Sequence, residues 1–133
     1  MFGAFDVSSS ALNAQRVRLE TISSNIAGFD AILGPDGKPA PYRRIFPLFE
    51  SQRTPNGGAG VRVKSIEQDM TPFNFRLEPG NPAADADGYV KYPNVDLSTE
   101  YVNALETTRA YEANVTAIET TKSMMNATLR VLG

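Results

Sequence analysis

The C-terminal third of the chain carries two apolar patterns at once. Within TTRAYEANVTAIETTKSMM, residues 107–125, one stripe runs through Tyr111, Val115, Ile118 and Met125, and a second, of smaller side chains, runs through Ala110, Ala113, Ala117 and Met124. At about 100° per residue these stripes lie on nearly opposite sides of one helix. The wider series Tyr101, Ala104, Thr108, Tyr111, Val115, Ile118, Lys122, Met125, Leu129 and Leu132 alternates spacings of four and three. It predicts a helix of roughly 55 Å that starts near Asp96 or Ser98, either of which can cap it, and runs to Leu132. Its charged arc is narrow and holds Arg109, Glu112, Glu119 and Arg130. At the other end Phe5, Leu12, Leu19 and Ile26 fall seven apart and Ile22 fits a companion heptad position. This predicts a helix over 4–27, roughly 35 Å long, stopped at Gly28. Ser8 and Gln15 occupy other companion positions, so that seam is weak on its own.

All nine prolines lie between Pro35 and Pro93. Proline is expelled from helix interiors because it lacks the N–H and clashes with the preceding turn, so the middle is irregular and β. GVRVKSI alternates, with Val61 and Val63 on one face and Arg62 and Lys64 on the other. Phe73, Phe75 and Leu77 alternate with Asn74, Arg76 and Glu78. YRRIFPLF, residues 42–49, reads as a strand edged or broken by Pro47. TPNGGAG at 54–60 reads as the flexible connection of a hairpin, and GPDGKPAP at 34–41 as a turn-rich linker. The expected class is α+β: long N- and C-terminal helices with a small β-rich insert between them.

Composition removes most chemistry. The 133 residues suit one domain of ordinary size, and a net charge of −2 leaves no electrostatic footprint for nucleic acid or an anionic membrane. With neither cysteine nor histidine, the chain has no disulfide, no thiolate metal site and no His-based triad. The lysines Lys38, Lys64, Lys91 and Lys122 sit in no serine–lysine motif, and no phosphate-binding loop is present. Asp85-Ala86-Asp87-Gly88 echoes a calcium loop but lacks the third liganding position and the distant glutamate, so a solvated turn is the better reading. YRRIF could stack on nucleic acid, but a strand with one apolar and one solvated face explains it more cheaply. The expectation is therefore no catalytic, cofactor-binding or metal-binding residue, no cofactor, no nucleic acid and no small-molecule substrate. No apolar run approaches a membrane span, and the start MFGAFDVSSSALNAQ is not a secretory signal peptide. These signals alone suggest a cytoplasmic protein.

The two-sided helix remains. A single partner helix buries one stripe and leaves the other in water over several turns. A long exposed apolar surface marks an interaction site, and small residues such as Ala110, Ala113 and Ala117 allow close approach. Lys122 and Thr108 in the seam suit a multi-helix wall better than a solitary coiled coil. Other subunits are the favoured cover. A soluble two-helix module that recognises one helical partner is the alternative.

EPGNPAADADGYVKYPNVDLSTEYVNALETTRAYEANVTAIETTKSMMNATL, residues 78–129, closely resembles the C-terminal half of proximal-rod members of the flagellar rod and hook (axial) family. GYVKYPNVD followed by a helix with RAYEANV and KSMM is quite specific to them, and it argues against the other short rod protein of the family. ALNAQRVRLETISSNIA resembles the N-terminal helix shared by axial proteins, and GPDGKPAPYRR and GGAGVRV sit where the family has similar segments. Two places depart from the family pattern. Gly28-Phe29-Asp30 replaces an asparagine-alanine-rich stretch, and Glu100-Tyr101 stands where a Glu-Met pair is usual.

The resemblance implies a structural subunit of the bacterial flagellar proximal rod, a torque-transmitting shaft around the export channel. Residues 1–28 and 95–133 would form an inner coiled-coil domain, with 29–94 as the β-rich insert outside it. Phe5, Leu12, Leu19, Ile22, Ile26, Tyr101, Tyr111, Val115, Ile118, Met125 and Leu129 would form the seam within a subunit. Ala110, Ala113, Ala117 and Met124 would face other subunits. Implied partners are copies of the chain, neighbouring rod proteins and, during secretion, the flagellar export apparatus. The implied location is the periplasmic rod of the basal body, reached by type III export without a cleaved signal peptide.

Overall fold

The computed structural model describes residues 2–55 and 57–133. Met1, and Asn56 within the expected hairpin connection, lie outside the described residues. Helix α1 spans Phe2–Ala27 and helix α2 spans Leu97–Leu132, 26 and 36 residues. Between them lie β1 (Ile45–Arg53), β2 (Ala59–Gln68), β3 (Asn74–Leu77) and β4 (Tyr89–Tyr92), paired β1–β2 and β3–β4 in two separate sheets. The class is α+β, as the apolar spacing and the proline distribution required. Asp96 is the cap of α2: its carboxylate accepts from the Ser98 N–H at 3.1 Å and from the Thr99 hydroxyl at 3.1 Å.

The chain divides into two compact units, and each contains part of both helices. The first comprises Met1–Leu19, Pro47–Ile66 and Ala104–Gly133. Its two-stranded sheet keeps the alternation read from the sequence, with Val61, Val63 and Ser65 half-buried and Arg62, Lys64 and Ile66 exposed. Arg62 pairs with Glu50 across the strands. The hairpin connection is not the loose tether that its glycines suggested. Thr54 is buried and closes the turn, its N–H donating to the Gly58 carbonyl at 2.8 Å and its hydroxyl accepting from the Gly58 N–H at 2.9 Å. Gly60 then passes so close to α1 that a Cβ there would sit 2.7 Å from Ser10 Oγ. That hydroxyl accepts from the Val61 N–H at 3.2 Å and donates to the Val7 carbonyl at 2.8 Å. Glycine here serves close backbone approach, not mobility.

The second unit comprises Glu20–Phe46 and Glu67–Asn103 and holds much of the buried interior: Ile22, Ala83, Val90 and Val95, together with Thr21, Asn25 and Glu100. Strands β3 and β4 are antiparallel with Asn74 opposite Tyr92 and Leu77 opposite Tyr89. Phe75 and Leu77 alternate as expected, but their face is the exposed one, shared with Tyr89, while Val90 supplies the buried side. Lys91 lies 5.9 Å from the Phe75 ring centroid and partly covers it. The 34–38 turn is closed by the Gly34 N–H on the Lys38 carbonyl at 2.8 Å, with Gly37 at φ 75°. The Asp85 carboxylate accepts from the backbone N–H groups of Asp87 and Tyr89, both at 2.9 Å, which is turn chemistry.

Strand β1 begins three residues later than the expected strand at 42–49, and runs on to Arg53. Tyr42, Arg43 and Arg44 are half-buried and spend their polar groups on neighbouring segments of the same unit. The two arginines therefore do not form a solvated strand face. Arg43 stacks 4.1 Å above the Phe73 ring and donates to the carbonyls of Asp69 and Thr71 at 2.9 and 3.1 Å. The Tyr42 ring covers the end of α1, where a Cβ on Gly28 would lie 2.7 Å from the ring's Cγ. Gly28 has no left-handed backbone and is required for that packing. Gly28→Ala should push the ring off the helix end and lower stability by about 1–3 kcal/mol. A fall in the urea midpoint with an unchanged m-value checks it.

Candidate assembly surface

Two kinds of side chain matter for a subunit built on terminal helices: those that fix the helices and those left uncovered. In the second unit the fixing is polar. Asn25 on α1 is 1 % exposed and Glu100 on α2 is 0 % exposed. Asn25 Oδ1 accepts from the Tyr42 hydroxyl and from the Ile45 N–H, each at 2.9 Å, and its Nδ2 donates to the Ile45 carbonyl at 2.8 Å. The side-chain amide thus pairs with the first residue of β1 as a neighbouring strand would. The same Nδ2 lies 3.5 Å from Glu100 Oε2, while Arg44 Nε donates to Glu100 Oε1 at 2.6 Å. Arg44 also reaches Asp69 Oδ2 at 3.4 Å, and its backbone N–H donates to Asn94 Oδ1 at 2.9 Å. Asn94 in turn donates to the Asp69 carbonyl at 2.9 Å.

The electrostatics follow from this packing. Burial pushes the Tyr42 hydroxyl above its ordinary pKa; the nearby Glu100 charge adds to the rise and Arg44 opposes it. Asp69 is held below the usual carboxylate range, chiefly by the backbone N–H of Thr71 and further by Arg44. At the far edge of β4, hydrogen bonds from Tyr92 and Asn81 lower Glu78 and correspondingly raise Tyr92.

The residues expected in the seam occupy different environments. Ile22 is buried, and Phe5, Leu12, Leu19, Ile26, Val115, Ile118 and Met125 are half-buried. Tyr101, Tyr111 and Leu129 are exposed, Leu129 by 64 %. Of the residues expected to face other subunits, Ala113, Ala117 and Met124 are exposed and Ala110 is half-buried. Val102, Leu105, Val131 and Leu132 are also exposed. The most buried positions of α2 are polar, Glu100 and Thr107, and on α1 Ala14, Thr21 and Asn25 join Ile22. Gln15 Oε1 is buried without a hydrogen-bond partner among the described residues. Arg18 and Glu106 meet across the helices at 3.7 Å in the first unit.

Residues 5–27, nearly all of α1, match the family described as flagella basal body rod protein, and residues 86–131, β4 with α2, match the flagellar basal body rod FlgEFG protein C-terminal family. Relatives named flagellar basal-body rod protein FlgC match along almost the whole chain. The one from Salmonella typhimurium is 44 % identical over 97 % of this chain and 96 % of its own length. Those from Bacillus subtilis and Borreliella burgdorferi are 39 % and 41 % identical, over 98 % and 99 % of this chain and 97 % of each relative.

The chain belongs to the flagellar basal-body rod protein family.

Within this rod family the two terminal matches contain Asn25 and Glu100, whereas Arg44 sits in the segment between them. At the pair Glu100-Tyr101, Glu100 is the buried carboxylate and Tyr101 is 55 % exposed. Among the described residues no helix is long and apolar enough to cross a membrane.

Replacing Arg44 by methionine keeps the stem but leaves the Glu100 carboxylate buried without its cation. That variant should lose about 3–5 kcal/mol, and adding Glu100→Leu should recover most of it; urea denaturation of the single and double variants measures both. The raised Tyr42 contributes a loss of stability at alkaline pH. Between the unfolded pKa, near 10.0, and the higher folded value, the unfolded chain has lost the Tyr42 proton and the folded chain keeps it. Stability is therefore intact below pH 10 and falls as pH rises beyond it. Tyr42→Phe should flatten that fall while lowering stability at neutral pH by the lost bond to Asn25, which thermal melts across the alkaline range read directly.

Proposed function

We propose that the chain is a structural subunit of the flagellar proximal rod, with no chemistry of its own. It joins copies of itself and neighbouring rod proteins to build the shaft that transmits motor torque and encloses the export channel. The observation that carries this reading is the uncovered apolar surface of α2: Met124, Leu129, Val131 and Leu132 are all more than half exposed on a helix of 36 residues. Apolar surface left open along a long helix is a docking face, and the rod relatives supply the kind of assembly that would cover it.

In this reading residues 1–28 and 95–133 form the inner helical layer and 29–94 the outer insert. Exposure divides the seam residues. Ile22 and the half-buried Phe5, Leu12, Leu19, Ile26, Val115, Ile118 and Met125 hold the helices together within a subunit. Tyr101, Tyr111 and Leu129 are covered by neighbours, along with Ala110, Ala113, Ala117 and Met124. A helical shaft needs heterologous contacts, in which one patch meets a different patch on the next copy, and a helix that is apolar on two sides provides them. The subunit works in the periplasmic section of the basal body and reaches it through the flagellar type III export apparatus, with no cleaved signal peptide.

Leu129→Asp tests the reading. At an exposed position the charge should leave the isolated chain folded, with an unchanged urea midpoint. In the assembled rod it would be buried without a partner, so rod assembly and motility should be abolished. Hydrogen exchange on the monomer and on basal bodies gives the second measure: the exposed end of α2, residues 124–133, should exchange freely alone and become protected in the assembly. Wild-type motility, or equal protection in both states, would count decisively against the reading.

A further inference from the structure

A pair of long helices must choose one alignment, and heptad repeats by themselves permit slips of a whole repeat. Most side chains that might discriminate do not reach across. Asn114, Thr121 and Thr128, spaced by seven along α2, each donate to their own helix, to the carbonyls of Ala110, Ala117 and Met124 at 2.9 Å. Such back-bonding satisfies the polar group whatever lies opposite. Arg18–Glu106 is an exposed contact at 3.7 Å, too weak to select an alignment. The Asn25 amide is different. It spends both donors and both acceptor sites on Ile45, Tyr42 and Glu100, and Arg44 from the intervening segment closes on the same carboxylate.

We infer that the Asn25–Arg44–Glu100 cluster is a register lock, the element that selects one alignment of α2 against α1. A slip of α2 by a heptad would part Glu100 from both Arg44 and the Asn25 amide, leaving a fully buried carboxylate without its donors, while Asn25 keeps its bonds to Tyr42 and Ile45. The apolar and self-satisfied positions would repack at little loss. In some proteins buried polar groups act this way, replaceable in stability by apolar residues of similar volume but fixing register. The inference concerns the folding of a single chain and stands apart from the rod reading.

The absence of cysteine makes the test clean. Three double-cysteine versions of the full chain are treated, as dilute monomer, with a short bismaleimide. Arg18→Cys with Glu106→Cys reports the native alignment. Arg18→Cys with Ala113→Cys, and Ala11→Cys with Glu106→Cys, report slips of one heptad in the two directions, displacements of about 10 Å. With the lock intact, the native pair should couple at least about a hundredfold faster than either slipped pair. With Asn25→Leu, Arg44→Met and Glu100→Leu combined, one slipped pair should come within about tenfold of the native pair while the chain still unfolds cooperatively in urea. If the native pair keeps its full advantage in that background, the connecting segments set the register and the inference is wrong. Should the triple variant lack a cooperative transition, Glu100→Gln alone decides. It preserves the shape and removes the charge, so the native advantage should shrink, and an unchanged ratio overturns the lock.

Discussion

A carboxylate with no contact to water constrains this fold more than any apolar contact in it. Glu100 is fully buried, so its charge has to be met by donors held at fixed distances. Arg44 Nε at 2.6 Å is the main one and the Asn25 amide at 3.5 Å the second. Those two donors come from different parts of the chain, the segment before β1 and the end of α1. Satisfying one group therefore fixes three segments at once. The rest follows outward: Tyr42 lies on Gly28 and donates to Asn25, Ile45 takes the amide as its first strand partner, and Asn94 fastens Arg44 and Asp69 from the other side. An apolar cluster of equal size is often as stable; the polar one differs in that each of its groups has a definite partner.

The residues beyond Ala104 on α2 are built to the opposite rule. Thr107 is buried, but most of the following side chains are exposed, and the polar ones that face inward are satisfied by their own helix. Beyond Thr107 the side-chain hydrogen bonds of Asn114, Thr121 and Thr128 all return to the same helix. A helix of this kind is marginal alone, since propensity without tertiary burial holds a helix weakly in water. It also carries no commitment that a neighbouring subunit would have to break. The polar cluster around Glu100 specifies its neighbours strongly, and the exposed end of α2 specifies its own weakly.

Much of this was legible in the sequence. The sevenfold spacing of Phe5, Leu12, Leu19 and Ile26, the four-three series of α2, the alternation in β2 and β3 and the confinement of proline each reflect a local steric or burial rule, and each element appeared. The decisive cluster was not, because heptad reasoning searches for apolar side chains and the most buried described positions of the two helices are Asn25, Thr21, Glu100 and Thr107. A signal existed: Glu100, Thr107, Asn114, Thr121 and Thr128 form a polar series at intervals of seven, which a purely solvated arc would not maintain. Tyr42-Arg43-Arg44 misled for a related reason. Alternation assigns a charged residue to solvent, whereas a guanidinium presents five donors and is weakly hydrated enough to be buried opposite a carboxylate. Likewise Gly58 and Gly60 of the β1–β2 connection encode proximity to α1, which spacing within the hairpin cannot reveal.

The apolar face of β3 and β4 extends this argument from folding to specificity. Val90 closes the interior on one side of that sheet, so Phe75, Leu77 and Tyr89 on the other side are not needed to hold the unit together. The cation of Lys91, opposite Phe75 in the register and 5.9 Å from its ring centroid, shields that ring without hiding it. Aromatic surface tempered by cations is less prone to indiscriminate association than a bare apolar strand face, which is the hazard an exposed sheet carries. The chain thus manages exposed apolar surface in two ways. On the insert it is screened by charge, and on α2 it is left open along a helix. The second is concentrated at the two ends of α2, at Tyr101, Val102 and Leu105 and again at Met124, Leu129, Val131 and Leu132, with smaller and polar side chains exposed between Tyr111 and Met124.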